Sequence, residues 1–134
     1  MLRMHDIQRS HEIVTVALEA AQERGARRIE RIHLIIGEMS LLDPDQVRFW
    51  VSELLRGTIG EGAQVEIEMR RARLRCSACG YEGEVEVVDD PIYHFTTMVP
   101  ACPACAARDV EIVSGDECII EGLIVEGPVG PGEP

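Results

Sequence analysis

Two Cys-x2-Cys pairs constrain this chain more than any other feature. Cys76 and Cys79 form the first pair, and Cys102 and Cys105 form the second, twenty-two residues further on. Each pair can hold two thiolates at one tight turn, and two such turns complete the tetrahedron of a structural Zn²⁺ site. Rubredoxin-like iron centres use similar turns, so iron is an alternative. Zinc is favoured because this segment has few aromatic residues to shield a redox site.

The segment that carries the cysteines differs in composition from its flanks. Residues 75–114 contain few large apolar side chains, and a stretch of about forty residues rarely builds its own core, so a metal commonly takes that role. The apolar stretch CIIEGLIVEG, Cys118–Gly127, follows it. We therefore predict an α+β fold with a discontinuous domain, 1–74 and 115–127, an inserted zinc-binding module, 75–114, and a disordered tail, 128–134.

Apolar periodicity predicts two helices and a sheet of roughly three strands. Asp43 is placed to cap the second helix, and Pro44 suits its first turn. The predicted helices are Ser10–Arg24 and Pro44–Arg56, and the predicted strands are Arg28–Ile36, Gln64–Leu74 and Cys118–Gly127.

The charge balance narrows the function class. The chain has 13 Lys and Arg against 24 Asp and Glu, a formal net charge of −11, which disfavours binding to nucleic acid. It has neither a membrane-spanning apolar run nor a signal-peptide pattern, so we expect a cytoplasmic protein whose cysteines are reduced. We find no nucleophile–base pair and no phosphate-binding loop, so we do not expect an enzyme.

Several further residues could bear on function. Met4-His5-Asp6 stands just before the first predicted helix, and a His-Asp pair near a terminus is ordinarily solvated. We predict that the other histidines lie at the surface and that Cys118 is a small buried side chain. The arginines of residues 70–75 either offset the charge of a four-thiolate centre or face solvent. The other histidines of the chain, which we predict to lie at the surface, are His11, His33 and His94.

Taken together, the motifs resemble the HypA/HybF family of hydrogenase nickel-incorporation proteins. The resemblance rests on Met4-His5-Asp6, on the two cysteine pairs in order, and on the stretches ALEAAQERGARRI, IGEMSLLDPDQVRFWVSELLRGT, EGAQVEIE and SGDECII. It implies a small nickel domain with a zinc module inserted before its last strand. It also implies that transferable Ni(II) is held by nitrogen atoms at the N-terminus, with His5 as the imidazole ligand, Met4 supplying a nitrogen and Asp43 close by.

Two departures from the family pattern affect this nickel site. Asp6 stands where the family usually has Glu, which shortens the side chain by one methylene. Met1-Leu2-Arg3 precedes the motif, so Met4 offers a terminal amine only if the native chain begins there.

The resemblance also implies partners: a GTPase of the HypB type and the large subunit of a [NiFe]-hydrogenase. It leaves open whether the protein forms a homodimer. The cysteine pairs alone would equally suit a zinc-ribbon adaptor module, which is the main alternative function.

Overall fold

The first helix starts with the Met-His-Asp motif. In the computed structural model, which describes residues 4–85 and 100–127, α1 spans Met4–Glu23. The prediction that this helix begins at Ser10 was wrong. Ser10 is buried inside the helix, and its hydroxyl donates to the Asp6 carbonyl one turn earlier at 2.6 Å. The motif therefore belongs to the first helical turn.

The helices bury one face each and contact each other. In α1 the buried apolar residues are Ile13, Val14, Ala17 and Ala21, whereas Val16 is 54% exposed. The second helix, α2, spans Pro44–Leu54 and buries Val47 and Val51. The Asp43 carboxylate accepts a hydrogen bond from the Asp45 N–H at 2.9 Å, which confirms the predicted cap.

Within residues 4–85 and 100–127, six strands form two three-stranded sheets. The first sheet has the order β2-β1-β6. Its central strand, β1, buries Ile32, Leu34 and Ile36 completely, and Ile35 is only 3% exposed. The last strand of the chain thus returns to the first sheet after the cysteine segment. The strands are β1 Arg28–Gly37, β2 Gln64–Arg70, β3 Arg73–Cys76, β4 Glu82–Glu84, β5 Val110–Ser114 and β6 Cys118–Glu126.

The second sheet has the order β4-β3-β5, and both pairings are antiparallel. The single long strand predicted over Gln64–Leu74 was wrong, because the chain leaves strand geometry at Arg71 and Ala72. Ala72 is fully buried, and its N–H donates to Glu38 Oε1 at 2.9 Å instead of to a neighbouring strand. One predicted strand therefore supplies β2 to the first sheet and β3 to the second. The α+β class, with two helices, is confirmed.

The chain divides into two compact units. The first contains residues 4–35, 42–68 and 119–127, and the second contains residues 36–41 with the described part of 69–118. The predicted limits of the nickel domain and zinc module stay a prediction. Residues 1–3, His94 and the predicted disordered tail lie outside the described residues. Among the described helices, none has the length and apolar character required to cross a membrane.

Candidate metal centres

Two equivalent turns present the four cysteines. In the first turn the Gly80 N–H donates to the Cys76 carbonyl at 3.0 Å, and the Cys76 N–H donates to the Tyr81 carbonyl at 2.8 Å. The second turn repeats both hydrogen bonds, from Ala106 N–H to the Cys102 carbonyl and from Cys102 N–H to the Ala107 carbonyl, each at 2.8 Å. Gly80 and Ala106 both have positive φ, 80° and 65°. The two pairs thus adopt the same backbone form.

The four sulfur atoms converge on one point. Cys76 Sγ lies 3.7 Å from Cys105 Sγ, Cys79 Sγ lies 3.6 Å from Cys102 Sγ, and all four lie within 4.8 Å of one another. A tetrahedral zinc ion with Zn–S bonds of about 2.3 Å places its sulfur ligands about 3.8 Å apart. The spacing and the soft donor set therefore fit a closed, four-thiolate zinc site.

Burial and hydrogen bonding give the thiols unequal acidity. Burial of Cys102 opposes its ionisation, but N–H groups of Cys105 and Ala104 donate to its sulfur and lower the pKa to about 7. At Cys105, the Ala107 N–H favours the thiolate, but burial and the neighbouring thiols outweigh it and raise the pKa to about 12. The pKa of Cys79 is also raised: its hydrogen bond from the Tyr81 backbone lowers it, and burial and neighbouring thiols outweigh that bond. Four ionised thiolates at this spacing call for a cation between them.

The arginines around the first pair contact carboxylates. Glu117 is the most enclosed partner: it accepts from Arg70 at 3.1 Å and from the Gly115 N–H at 2.6 Å. Burial alone would raise the pKa of Glu117, but hydrogen bonds from backbone N–H groups and Arg70 hold it below the usual range. Sequence reasoning missed these glutamate partners, because the fold brings them from β4, from β5 and from the loop before β6. The other pairs are Arg71–Glu84 at 3.5 Å, Arg75–Glu82 at 2.7 Å and Arg75–Glu111 at 3.5 Å.

A second cluster lies where α1 and α2 both begin. Asp6 is fully buried, and its Oδ1 is 3.6 Å from His5 Nε2. The same oxygen accepts from the Asp43 N–H at 3.4 Å. Asp6 therefore joins His5 to Asp43, and these three of the four residues that the resemblance associated with nickel lie together. The side chain of Met4 is outside the described part of the chain.

The remaining predicted residues have different surroundings. His11 is exposed on α1, as predicted, and Cys118 is half-buried rather than fully buried. His33 is partly exposed on β1, but it lies beside Glu68 and Glu121, with ligand atoms within 4.8 Å of one another. Sequence reasoning missed this group, because only the strand order places β2 and β6 on either side of β1.

Comparison with known proteins agrees with these features. The profile of a family described as hydrogenase/urease nickel incorporation, metallochaperone HypA, matches residues 4–125. A hydrogenase maturation factor HypA from Methanopyrus kandleri is 36% identical over 135 residues, covering 93% of this chain and 95% of the relative. The Pyrococcus abyssi factor of the same name is 36% identical over 138 residues, covering 95% and 99%.

A solved structure shares the fold. It is the solution structure of the nickel metallochaperone HypA from Helicobacter pylori, with a TM-score of 0.61 and 20% sequence identity, covering 90% of this chain and 97% of that one. The family profile spans both the N-terminal cluster and the four cysteines. The chain therefore belongs to the HypA family of hydrogenase/urease nickel-incorporation metallochaperones.

Proposed function

We propose that this protein is a nickel metallochaperone for the maturation of a [NiFe]-hydrogenase. Ni(II) is its cargo, bound at Met4-His5-Asp6, and the four cysteines hold a structural zinc ion. The observation that carries the nickel site is the fully buried Asp6 carboxylate, which faces the His5 ring and accepts from the Asp43 backbone. A buried carboxylate beside a half-exposed imidazole is a common way to orient a metal-ligating histidine.

The histidine geometry suits chelation. In His5, Nε2 faces Asp6. The other ring nitrogen, Nδ1, is the one nearer the main chain. Nδ1 and the His5 amide nitrogen can close a six-membered chelate ring, and successive amide nitrogens can close five-membered rings beside it. Nitrogen donors in a square-planar set are suited to Ni(II).

The helix start supplies the remaining donors. The first turn of α1 carries the main-chain amides of Met4 and His5, which would bind Ni(II) as deprotonated nitrogen donors. The positive end of the helix dipole opposes a cation there, and the Asp6 and Asp43 carboxylates offset it. The helix dipole repels the cation and the carboxylates attract it, and a site in which these two effects oppose each other is suited to nickel that has to be transferred.

The zinc ion, unlike the transferable nickel ion, has a structural role. All four positions of a tetrahedral ion would be filled by Cys76, Cys79, Cys102 and Cys105, which leaves none for water or a recipient protein. A closed site stabilises its surroundings and does not exchange its metal readily. This arrangement separates a permanent structural metal from a transferable one.

The partners follow from family membership. Relatives are named hydrogenase maturation factors, so we assign the large subunit of a [NiFe]-hydrogenase as recipient and a GTPase of the HypB type as co-chaperone. We further propose that the protein acts in the cytoplasm, where such precursors are assembled, and that it is not itself an enzyme.

The test is Ni(II) calorimetry on zinc-loaded protein. We compare the chain as printed, the chain begun at Met4, and His5→Ala on the shorter background, with His11→Ala as the matched control. Begun at Met4, the chain gains an amine donor, and we expect affinity to rise on the order of ten- to a hundred-fold, the usual effect of a metal-site partner. His5→Ala should lose this binding and His11→Ala should keep it.

Asp6→Asn tests the carboxylate without changing its size. We expect it to weaken nickel binding while leaving the zinc content unchanged. If His5→Ala binds Ni(II) at this site as tightly as its parent, the nickel assignment is wrong, and the zinc-ribbon adaptor becomes the better description.

A further inference from the structure

Three side chains of the first sheet gather on its partly exposed face. His33 lies on the central strand β1, and Glu68 and Glu121 lie on the flanking strands β2 and β6. On β1 the neighbours of His33 in sequence, Ile32 and Leu34, are fully buried, so His33 projects away from the core. His33 and Glu121 are 40% and 51% exposed.

The ligand atoms of the three side chains are nearly close enough to share one ion. His33 Nε2 lies 3.8 Å from Glu121 Oε2, and all three ligand atoms lie within 4.8 Å of one another. Ligands at about 2.1 Å from one metal are about 3.4 Å apart in a tetrahedron and about 3.0 Å apart at adjacent octahedral positions. Because no two of the three ligand atoms lie more than 4.8 Å apart, closing that difference shortens a separation by at most about 1.4–1.8 Å, and rotation of partly exposed side chains can supply such a movement.

The donor set selects a class of ion. One imidazole nitrogen and two carboxylate oxygens suit divalent transition metals, whereas Mg²⁺ and Ca²⁺ prefer oxygen ligands alone. Arg31, two residues before His33 on β1, contacts Glu66 at 3.4 Å and Gln64 at 3.2 Å. Three strands of one sheet hold the donors, and strands position ligands better than loops do.

We propose that His33, Glu68 and Glu121 form a second binding site for a divalent transition-metal ion. It uses none of the residues of the nickel cluster or the four-cysteine cluster, and it does not depend on the proposed function. Three protein ligands leave coordination positions for water, so the bound ion exchanges readily. The net charge of −11 adds to the attraction of a cation.

The experiment uses Ni²⁺ as the probe on the zinc-loaded full chain carrying His5→Ala, which removes the proposed nickel ligand. Histidine ring signals are followed by NMR while Ni²⁺ is added, because the paramagnetic ion broadens signals of its ligands. We expect the His33 ring to broaden at substoichiometric Ni²⁺ while the His11 ring stays sharp. Calorimetry on the same background should show one weak event, lost in His33→Ala and weakened at least tenfold in Glu121→Gln.

The possible outcomes distinguish the proposed His33 site from the proposed nickel site at His5. Equal broadening of His33 and His11, or calorimetry unchanged by His33→Ala, would overturn the proposal and show that His33 and Glu121 form an ordinary ion pair. Neither result would affect the His5 assignment, which is tested by His5→Ala in the parent chain. Conversely, if nickel binding by the parent chain is unchanged in affinity by His5→Ala alone and is abolished by His33→Ala alone, this site is supported and the proposed one at the N-terminus is refuted.

Discussion

Loss of the four-cysteine metal is expected to unfold the second compact unit and spare the first. Outside the cysteines, the large apolar side chains buried in the described part of the second unit are Ile36, Leu41 and Leu74. Full burial of a side chain of this size contributes about 1.5–3 kcal/mol, so the three together contribute roughly 5–9 kcal/mol. Structural zinc sites contribute apparent binding free energies of about 10–16 kcal/mol, which is also folding free energy. The metal therefore outweighs the apolar core of this unit.

The first unit has its own core. Ile32, Leu34, Val47 and Val51 are completely buried, and all four belong to the first unit. We therefore expect a quadruple Cys76/Cys79/Cys102/Cys105→Ser variant to keep its helical circular dichroism. Amide protons of β3 and β5 should lose their protection from exchange in the same variant, because those strands pair next to the cysteine turns.

Three measurements test whether loss of the metal unfolds only the second unit: metal content by mass spectrometry, far-ultraviolet circular dichroism and amide hydrogen exchange. Cys118→Ser is the matched control, since Cys118 is not part of the four-cysteine cluster, and it should retain one zinc per chain. A quadruple variant that still binds one zinc, or that keeps β3 and β5 protected, would refute the reasoning. Visible absorption of ferric thiolate in the purified protein would instead favour the rubredoxin-like alternative.

Three further changes test particular contacts. Asp43→Ala removes the cap of α2 and should lower the free energy of unfolding by about 1 kcal/mol, measured by urea denaturation. Gly37→Ala would place a Cβ in a clash with the Gly115 carbonyl oxygen, so we expect a loss of about 1–3 kcal/mol in the free energy of unfolding and a lower melting temperature. Glu117→Gln should lose about 1–2 kcal/mol at pH 7, where the Arg70 partner faces a carboxylate. Because the pKa of Glu117 is lowered from 4.5, its contribution is present above that pH and is lost as the pH falls through the folded-state pKa, so both proteins should converge in acid. A constant difference down to pH 2 would contradict this.

Local sequence determined the elements whose signals lie within a few residues. The Asp43-Pro44 pair specifies where α2 begins, because a capping carboxylate and a proline both suit that position whatever surrounds it. The apolar residues of β1 mark it as a buried strand, although burial alternates only around His33, between the buried Ile32 and Leu34. The two Cys-x2-Cys turns likewise carry their own geometry, so the four-cysteine cluster could be predicted before any fold was known.

Only the tertiary structure decided the features that depend on distant partners. The break at Arg71 and Ala72 arises because Glu38, far away in sequence, takes the Ala72 N–H, and no local pattern encodes such a partner. The early start of α1 depends on burial of Asp6 and Ser10. The gathering of His33, Glu68 and Glu121 depends on the order of three strands, which periodicity cannot supply, because it defines the faces of a strand and not its neighbours.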